Sequence, residues 1–247
     1  MRYFTSNTTI LRNDMKKTTA KIGQAQINLE GEAWQRLPLK TAQVDVDAMK
    51  TFSELCPNEL PVPGALELPD LLNKLAMHTD KRIGTKCAHQ DEADFVTDDP
   101  AEIGADTGLP LSPHKWTRHG RPGTMGFEML DGLPSPIDYD HFIWKGIESE
   151  LHPYGVCYHD PLRTLSTGLI EWLIVNQVTR VIITGLAFDY CVATSAEELA
   201  DTGLFDVIII RDCTRGINPT NFESCEKTLI AKNVRFFDTI EDYLLNA

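Results

Sequence analysis

Two short runs, Arg180-Val-Ile-Ile-Thr184 and Asp206-Val-Ile-Ile-Ile210, are almost wholly β-branched and apolar, and a stretch of helical character over 189–202 lies between them. A strand that is apolar at successive positions has to be covered on both faces, which a parallel sheet between two layers of helices provides. The same alternation runs along the chain. Residues 42–46 read as a short strand, 65–78 as a helix with Leu66, Leu71, Leu72 and Leu75 on one face, and 81–86 as the next strand. A strand at 140–145, a helix at 162–177, a helix at 218–233 opened by Asn218-Pro219, a strand at 234–237 and a short terminal helix complete the series. The expected fold class is therefore α/β, a three-layer α/β/α arrangement around a mostly parallel sheet.

With 247 residues, 42% of them hydrophobic, the chain can bury one full-sized core. Residues 1–40 are polar, Thr-rich and weakly periodic, with Lys16, Lys17 and Lys21 among them. They are expected to form an N-terminal extension that drapes over the domain or is partly disordered, with organelle targeting as the alternative, and 41–247 form the domain itself. A net charge of -13, with only 23 scattered Lys and Arg, argues against nucleic acid or an anionic membrane surface as partner. No apolar run approaches the roughly 20 residues that span a bilayer. The first ten residues lack the continuous apolar stretch of a secretory signal, and the six Cys show neither close pairing nor a C-x-x-C spacing. Reduced thiols in the cytoplasm are the expectation.

Ligands of such sheets bind beyond the carboxyl ends of the strands, and the residues there are Asp47, Cys87, Lys145 and Cys191. Gly185 breaks the strand at 180–184 and delivers Cys191 to the start of a helix, where Asp189 reads as the N-cap. Unpaired N–H groups and the helix dipole at that place favour thiolate over thiol. An acid that takes the thiol proton and an ammonium that stabilises both anions would complete a nucleophile assembly. The alternative is a structural Asp–Lys pair beside an unrelated buried Cys. Residues 91–136, rich in Gly, Pro and acidic side chains, read as a long loop of the kind that carries function.

Three segments carry a resemblance over residues 42–240. They are Asp47-Ala-Met-Lys-Thr-Phe52 followed by Pro61-Val-Pro-Gly64, then Trp144-Lys145-Gly146, and Gly185-Leu-Ala-Phe-Asp-Tyr-Cys-Val192. In these the chain resembles the nicotinamidase/pyrazinamidase family of the isochorismatase-like cysteine hydrolases. The resemblance implies Asp47 as proton acceptor, Lys145 as its electrostatic partner, Cys191 as nucleophile, and a cis Leu186–Ala187 peptide. The N–H groups of Ala187 and Cys191 would then form the oxyanion hole. Asp45 lies two residues before Asp47 on the same strand face and competes for the acid role. Only Asp47 has a Phe at the family's distance. Met49 and Thr51 depart from the Gln and Asp usual within that motif.

Nicotinamidases also hold a divalent metal through an Asp-x-His and a further His after a Trp. The matching residues here are Cys87-Ala-His89 and Trp116-Thr-Arg-His119. Cys87 replaces the carboxylate, so Cys87, His89 and His119 form the implied ligand set, with zinc preferred by the softer donor and Asp91 or Asp94 available to complete it. A further family His is missing near Phe95, and the alternative is a decayed site. Phe52, Trp116, Leu186 and Tyr154 are the expected pocket residues, suited to a flat ring. His114, His141, His152 and His159 have no motif partner. The implied activity is deamination of nicotinamide, or a similar small aromatic amide, through a Cys thioester, with a small-molecule amide as partner and a homo-oligomer as assembly. The alternatives are a cysteine amidase acting on a carbamoyl or ureido substrate and an inactive binding or oligomerisation module.

Overall fold

The computed structural model describes residues 19–22, 25–28 and 39–247. Strands β1 (Thr19–Ile22) and β2 (Ala25–Asn28) pair as an antiparallel ribbon, and the remainder of the expected extension lies outside the described residues. The domain is built on β3 (Thr41–Val46), β4 (Lys81–Cys87), β5 (His141–Lys145), β6 (Arg180–Leu186), β7 (Asp206–Arg215) and β8 (Arg235–Phe237). They form one sheet in the order β5-β4-β3-β6-β7-β8, with every pairing parallel.

Helices cover both faces, as the apolar strands require. Val181, Ile183, Val207 and Ile209 pack against α2 (Leu169–Val175), α3 (Ala193–Asp201) and α4 (Phe222–Ala231) through Leu169, Leu173, Ala196, Leu199 and Leu229. Ile182, Ile208 and Ile210 point the other way, toward α1 (Leu68–Ala76) and α5 (Ile240–Asn246), where they meet Leu68, Leu72, Leu75 and Tyr243. Complete burial of such aliphatic side chains contributes about 1.5–3 kcal/mol each, so the central strands are the most stabilised part of the chain.

The chain leaves β3 for β4 and β5 on one side, then returns to β6 on the other, so the order reverses between β3 and β6. The carboxyl ends of these two strands open a crevice there. Gly185 makes the crevice possible. Its φ is +95°, and a Cβ on it would stand 2.2 Å from the carbonyl oxygen of Val46 on the adjacent strand.

Three expectations are corrected. Residues 162–168 are not helical, because the Asp160 carboxylate accepts from the N–H groups of Thr164 and Leu165 and from the Thr164 hydroxyl, at 2.7–3.0 Å. These bonds give the backbone an alternative to the helix, and α2 begins only after Gly168. Asp189 does not cap its own helix: its carboxylate accepts from the N–H groups of Ile217 and Asn218, both at 2.9 Å, and so ties the turn after β6 to the loop after β7. Asp45 does not compete with Asp47 for Lys145, because its carboxylate is committed to other partners. It is fully buried and bound to Arg82 at 2.8 Å, with Gln43, Tyr139 and Thr184 donating to it as well.

Gly185→Ala is expected to lower unfolding stability by about 2–4 kcal/mol, since the added carbon meets backbone rather than a movable side chain. Urea denaturation measures it, and a loss under about 0.5 kcal/mol, the size of an ordinary surface change, would show that the β3–β6 approach is looser than described.

Candidate active site

Asp47 lies one residue past β3 with φ +46°, a left-handed conformation that Asp tolerates better than most residues. The turn aims its carboxylate across the sheet. Thr85 on β4 donates its hydroxyl to Oδ1 at 2.7 Å while accepting the Asp47 N–H at 3.0 Å. Lys145, the last residue of β5, reaches Oδ2 at 2.7 Å, and neither side chain has any exposed surface. The same ammonium donates to the Tyr154 carbonyl at 2.7 Å. Burial pulls the Lys145 pKa down, but the negative charge of Asp47, with the two thiols of Cys191 and Cys87, more than offsets it and holds the ammonium above its ordinary value.

Cys191 sits in a π-helical turn, Phe188–Val192, that leads into α3. The ligand atoms of Asp47, Cys87 and Cys191 all lie within 4.8 Å of one another. The Leu186–Ala187 peptide is cis. Ala187 and Cys191 line a tight cavity of about 20 Å³ together with Phe52, Trp116 and Tyr154. Leu186 does not line it; its side chain is fully buried in the core on the α1 side. Leu60, Tyr190 and Ile217 complete the apolar wall, and Trp116 meets Tyr190 edge to face at 4.9 Å while donating its indole N–H to the Tyr154 hydroxyl at 3.0 Å.

Cys87, His89 and His119 form a buried group whose ligand atoms also fall within 4.8 Å of one another, an arrangement that could hold a divalent metal. The protons on both rings are placed away from it. His89 Nδ1 bonds the Gly146 carbonyl at 3.0 Å and His119 Nδ1 bonds the Thr117 carbonyl at 2.7 Å, which makes each Nδ1 the donor and leaves each Nε2 with a free lone pair. His89 Nε2 is buried with no hydrogen-bond partner, as a ligand awaiting a cation would be. Burial, aided by the neighbouring His119, pushes the His89 pKa well down, and burial also lowers that of His119, so both rings are neutral near pH 7. The Cys87 thiol is pushed up by its contact with Cys191, then by burial and by Asp47. The donor set of one sulfur and two imidazoles fits a borderline-soft divalent ion.

Local sequence explains the group. Gly146 follows Lys145 with φ +71°, and a Cβ there would come within 2.4 Å of the His89 ring. Thr51, which stands where the family usually has a carboxylate, bonds Glu59 and accepts the Gly120 N–H at 2.9 Å, fixing the loop that presents His119. Neither Asp91 nor Asp94 joins the cluster; Asp91 instead pairs with Arg121 at 3.1 Å.

Two site residues have no motif to announce them. His152 lines the cavity, with its ring 5.0 Å from His89 and 4.1 Å from Phe95, and its buried Nδ1 has no partner. It lies in the segment after β5 and is tied to the long loop by its N–H, which bonds the Leu111 carbonyl at 2.9 Å, a contact that no local spacing encodes. Glu198 on α3 lies beneath the segment after β5, accepting the Cys157 N–H at 2.9 Å, and a Cβ on Gly155 would strike its carboxyl group at 2.1 Å. Burial raises its pKa to about 7 against the lowering effect of the Cys157 N–H and Arg163. His114 bonds the Tyr154 hydroxyl at 3.1 Å, whereas His141 stacks on Trp172 away from the cavity.

The isochorismatase domain family matches residues 95–234. The chain belongs to the isochorismatase family. Among curated relatives, this isochorismatase-family chain is 28% identical to the nicotinamidase of Escherichia coli over 65% of its own length and 80% of that protein. It is 29% identical to the nicotinamidase of Acinetobacter baylyi over 70% and 80%. Among solved structures, a nicotinamidase/pyrazinamidase of Acinetobacter baumanii superposes with a TM-score of 0.70 at 24% identity, covering 82% of this chain and 97% of that one. A pyrazinamidase of Pyrococcus horikoshii in complex with zinc superposes with a TM-score of 0.61 at 23% identity, covering 80% and 98%.

Removing one partner of the buried pair leaves the other charge without compensation. Lys145→Met is expected to cost about 3–5 kcal/mol, and adding Asp47→Asn should recover part of that loss. Additive losses in the double variant would contradict the coupling. Glu198 supplies a pH test. Burial pushes the native carboxyl up to about 7, whereas the unfolded group releases its proton near the ordinary glutamate value of 4.5, so its contribution is fully present below pH 4.5 and is lost as pH rises toward 7. Glu198→Gln should therefore lose less stability than the parent across that window, read from urea midpoints at fixed pH.

Proposed function

We propose that this chain is a cysteine-dependent amidohydrolase that deaminates nicotinamide, or a closely similar aromatic amide, to the acid and ammonia. The observation that carries the proposal is the buried Asp47–Lys145 pair set behind Cys191, which itself lines a cavity walled by Phe52, Trp116 and Tyr154. The nicotinamidase relatives support the same substrate class. Asp47 takes the Cys191 thiol proton, Lys145 compensates the negative charge that passes between them, and the thiolate attacks the amide carbonyl carbon. The N–H groups of Ala187 and Cys191 would donate to the developing oxyanion. Collapse of that intermediate expels nitrogen as ammonia, with the proton returned from Asp47. Water then adds to the thioester with Asp47 again as base, releasing the acid and restoring the thiol.

The flat walls hold a pyridine ring, and the ring would point its nitrogen toward the imidazole side of the cavity. Cys87, His89 and His119 would hold a divalent ion, zinc by the softness of the sulfur, which when bound supplies a Lewis acid for the ring nitrogen. Among the described residues no helix is long and apolar enough to cross a membrane. The substrate class implies a role in pyridine salvage, for which the cytoplasm is the proposed setting. The sulfur at position 87 is the feature that favours the second reading, a carbamoyl or ureido amidase.

Ammonia release over a panel of nicotinamide, pyrazinamide, benzamide and small carbamoyl and ureido compounds decides between them. Nicotinamide or pyrazinamide should lead. Turnover confined to carbamoyl or ureido compounds would move the assignment to the second reading. Cys191→Ala should lower the rate by more than about a hundredfold, the size of loss seen when a key group at the reacting carbonyl is removed, with an unchanged circular dichroism spectrum. Cys87→Asp should shift the metal found by elemental analysis from zinc toward manganese, whatever the activity.

A further inference from the structure

Two of the six cysteines line the active cavity, and they are neighbours. Cys87 closes β4 and Cys191 stands in the turn after β6, with their sulfur atoms within 4.8 Å of each other and of the Asp47 carboxylate. The Cys87 thiol also donates to Asp47 Oδ2 at 3.4 Å. The other described thiols lie elsewhere: Cys157 and Cys213 are in the two cores, and Cys56 and Cys225 are outside the cavity lining. We propose that Cys87 and Cys191 form a reversible disulfide on exposure to a hydroperoxide, with Cys191 as the sulfur oxidised first and Cys87 as the resolving thiol.

The chemistry balances with one equivalent of oxidant. Asp47 takes the Cys191 thiol proton and the thiolate attacks the distal peroxide oxygen; an S–O bond forms, the O–O bond breaks, and the departing hydroxide or alkoxide takes that proton from Asp47 and leaves as water or alcohol. Cys87 then gives its proton to Asp47 and attacks the Cys191 sulfur; the S–S bond forms and the S–O bond breaks. The departing hydroxide takes the proton from Asp47 and leaves as water. Two thiols lose two electrons and the peroxide gains them. Closure brings the two Cβ atoms to about 3.8 Å, which side-chain rotation and a small movement of the turn at 188–192 would supply.

Placement favours the pair over a lone oxidisable nucleophile. Both side chains are nearly buried, Cys87 at 2% and Cys191 at 8% exposure, yet both line the same tight cavity, a setting that favours a molecule as small as a peroxide over a bulky thiol. A carboxylate at position 87 would have no sulfur to resolve a sulfenic acid. The disulfide would also take the sulfur out of the Cys87, His89 and His119 group, so oxidation would remove the nucleophile and one metal donor in a single event.

The test uses the full chain, both as purified and after chelation, treated with a small excess of hydrogen peroxide, blocked with iodoacetamide and digested for mass spectrometry. A peptide linked through Cys87 and Cys191, lost on treatment with dithiothreitol, is expected in at least one preparation. In Cys87→Ser the same treatment should drive Cys191 to sulfinic acid, which dithiothreitol does not reverse, while Cys157→Ser should behave as the parent does. The absence of the linked peptide from both preparations, or Cys191 in Cys87→Ser recovering its alkylatable thiol as fully as in the parent, overturns the proposal. Because the readout is mass, the outcome is independent of which amide the enzyme hydrolyses.

Discussion

A lysine ammonium and an aspartate carboxylate lie 2.7 Å apart, and neither side chain reaches solvent. Taking two such charges out of water costs several kcal/mol for each ion, and the fold offsets that cost by giving each one more partners than the other alone provides. Thr85 donates to the carboxylate and the Tyr154 carbonyl accepts from the ammonium. Those partners come from β4 and from the segment after β5, so the pair cannot assemble until three parallel strands are in register and the following loop has folded back. Glu198, below that loop, and Gly185, between β3 and β6, serve the same end. Cys191 thus stands beside a fully buried ion pair.

Much of this was legible in the sequence because it follows from periodicity and strand-end position. Apolar runs such as 180–184 demanded cover on both faces, and Asp47, Lys145 and Cys191 stood at or after the ends of β3, β5 and β6, which with β4 are four consecutive strands of the sheet. Local hydrogen bonding misled the rest. Asp160 holds 162–168 out of the helix that its composition suggests, and Asp189 spends its carboxylate on a loop some thirty residues away rather than on its own helix. His152 was invisible for a related reason: what brings it to His89 is the course of a long loop, and a lone histidine beside a proline carries no periodic signal. Leu186 shows the limit of transferring pocket residues by position, since its neighbour Ala187 faces the cavity while Leu186 itself faces the core.

The replacement of a carboxylate by Cys87 has consequences at both edges of the site. Toward His89 and His119 it softens the donor set, and the two rings are already held as neutral acceptors by carbonyls at their Nδ1 atoms. Toward Cys191 it puts a second thiol beside the acid that the first one needs. Were the same sulfur to serve a metal and a disulfide in turn, metal content would be coupled to the redox state of Cys191.

The central claim is that Cys191, and not Cys87, carries the acyl group. Acid quenching of the enzyme during turnover of nicotinamide, followed by peptide mass spectrometry, reads this directly. The account predicts a nicotinoyl adduct on the peptide bearing Cys191 that hydroxylamine removes, as expected of a thioester. Turnover with an adduct on Cys87, or with no thiol adduct under conditions that trap the intermediate, would contradict it.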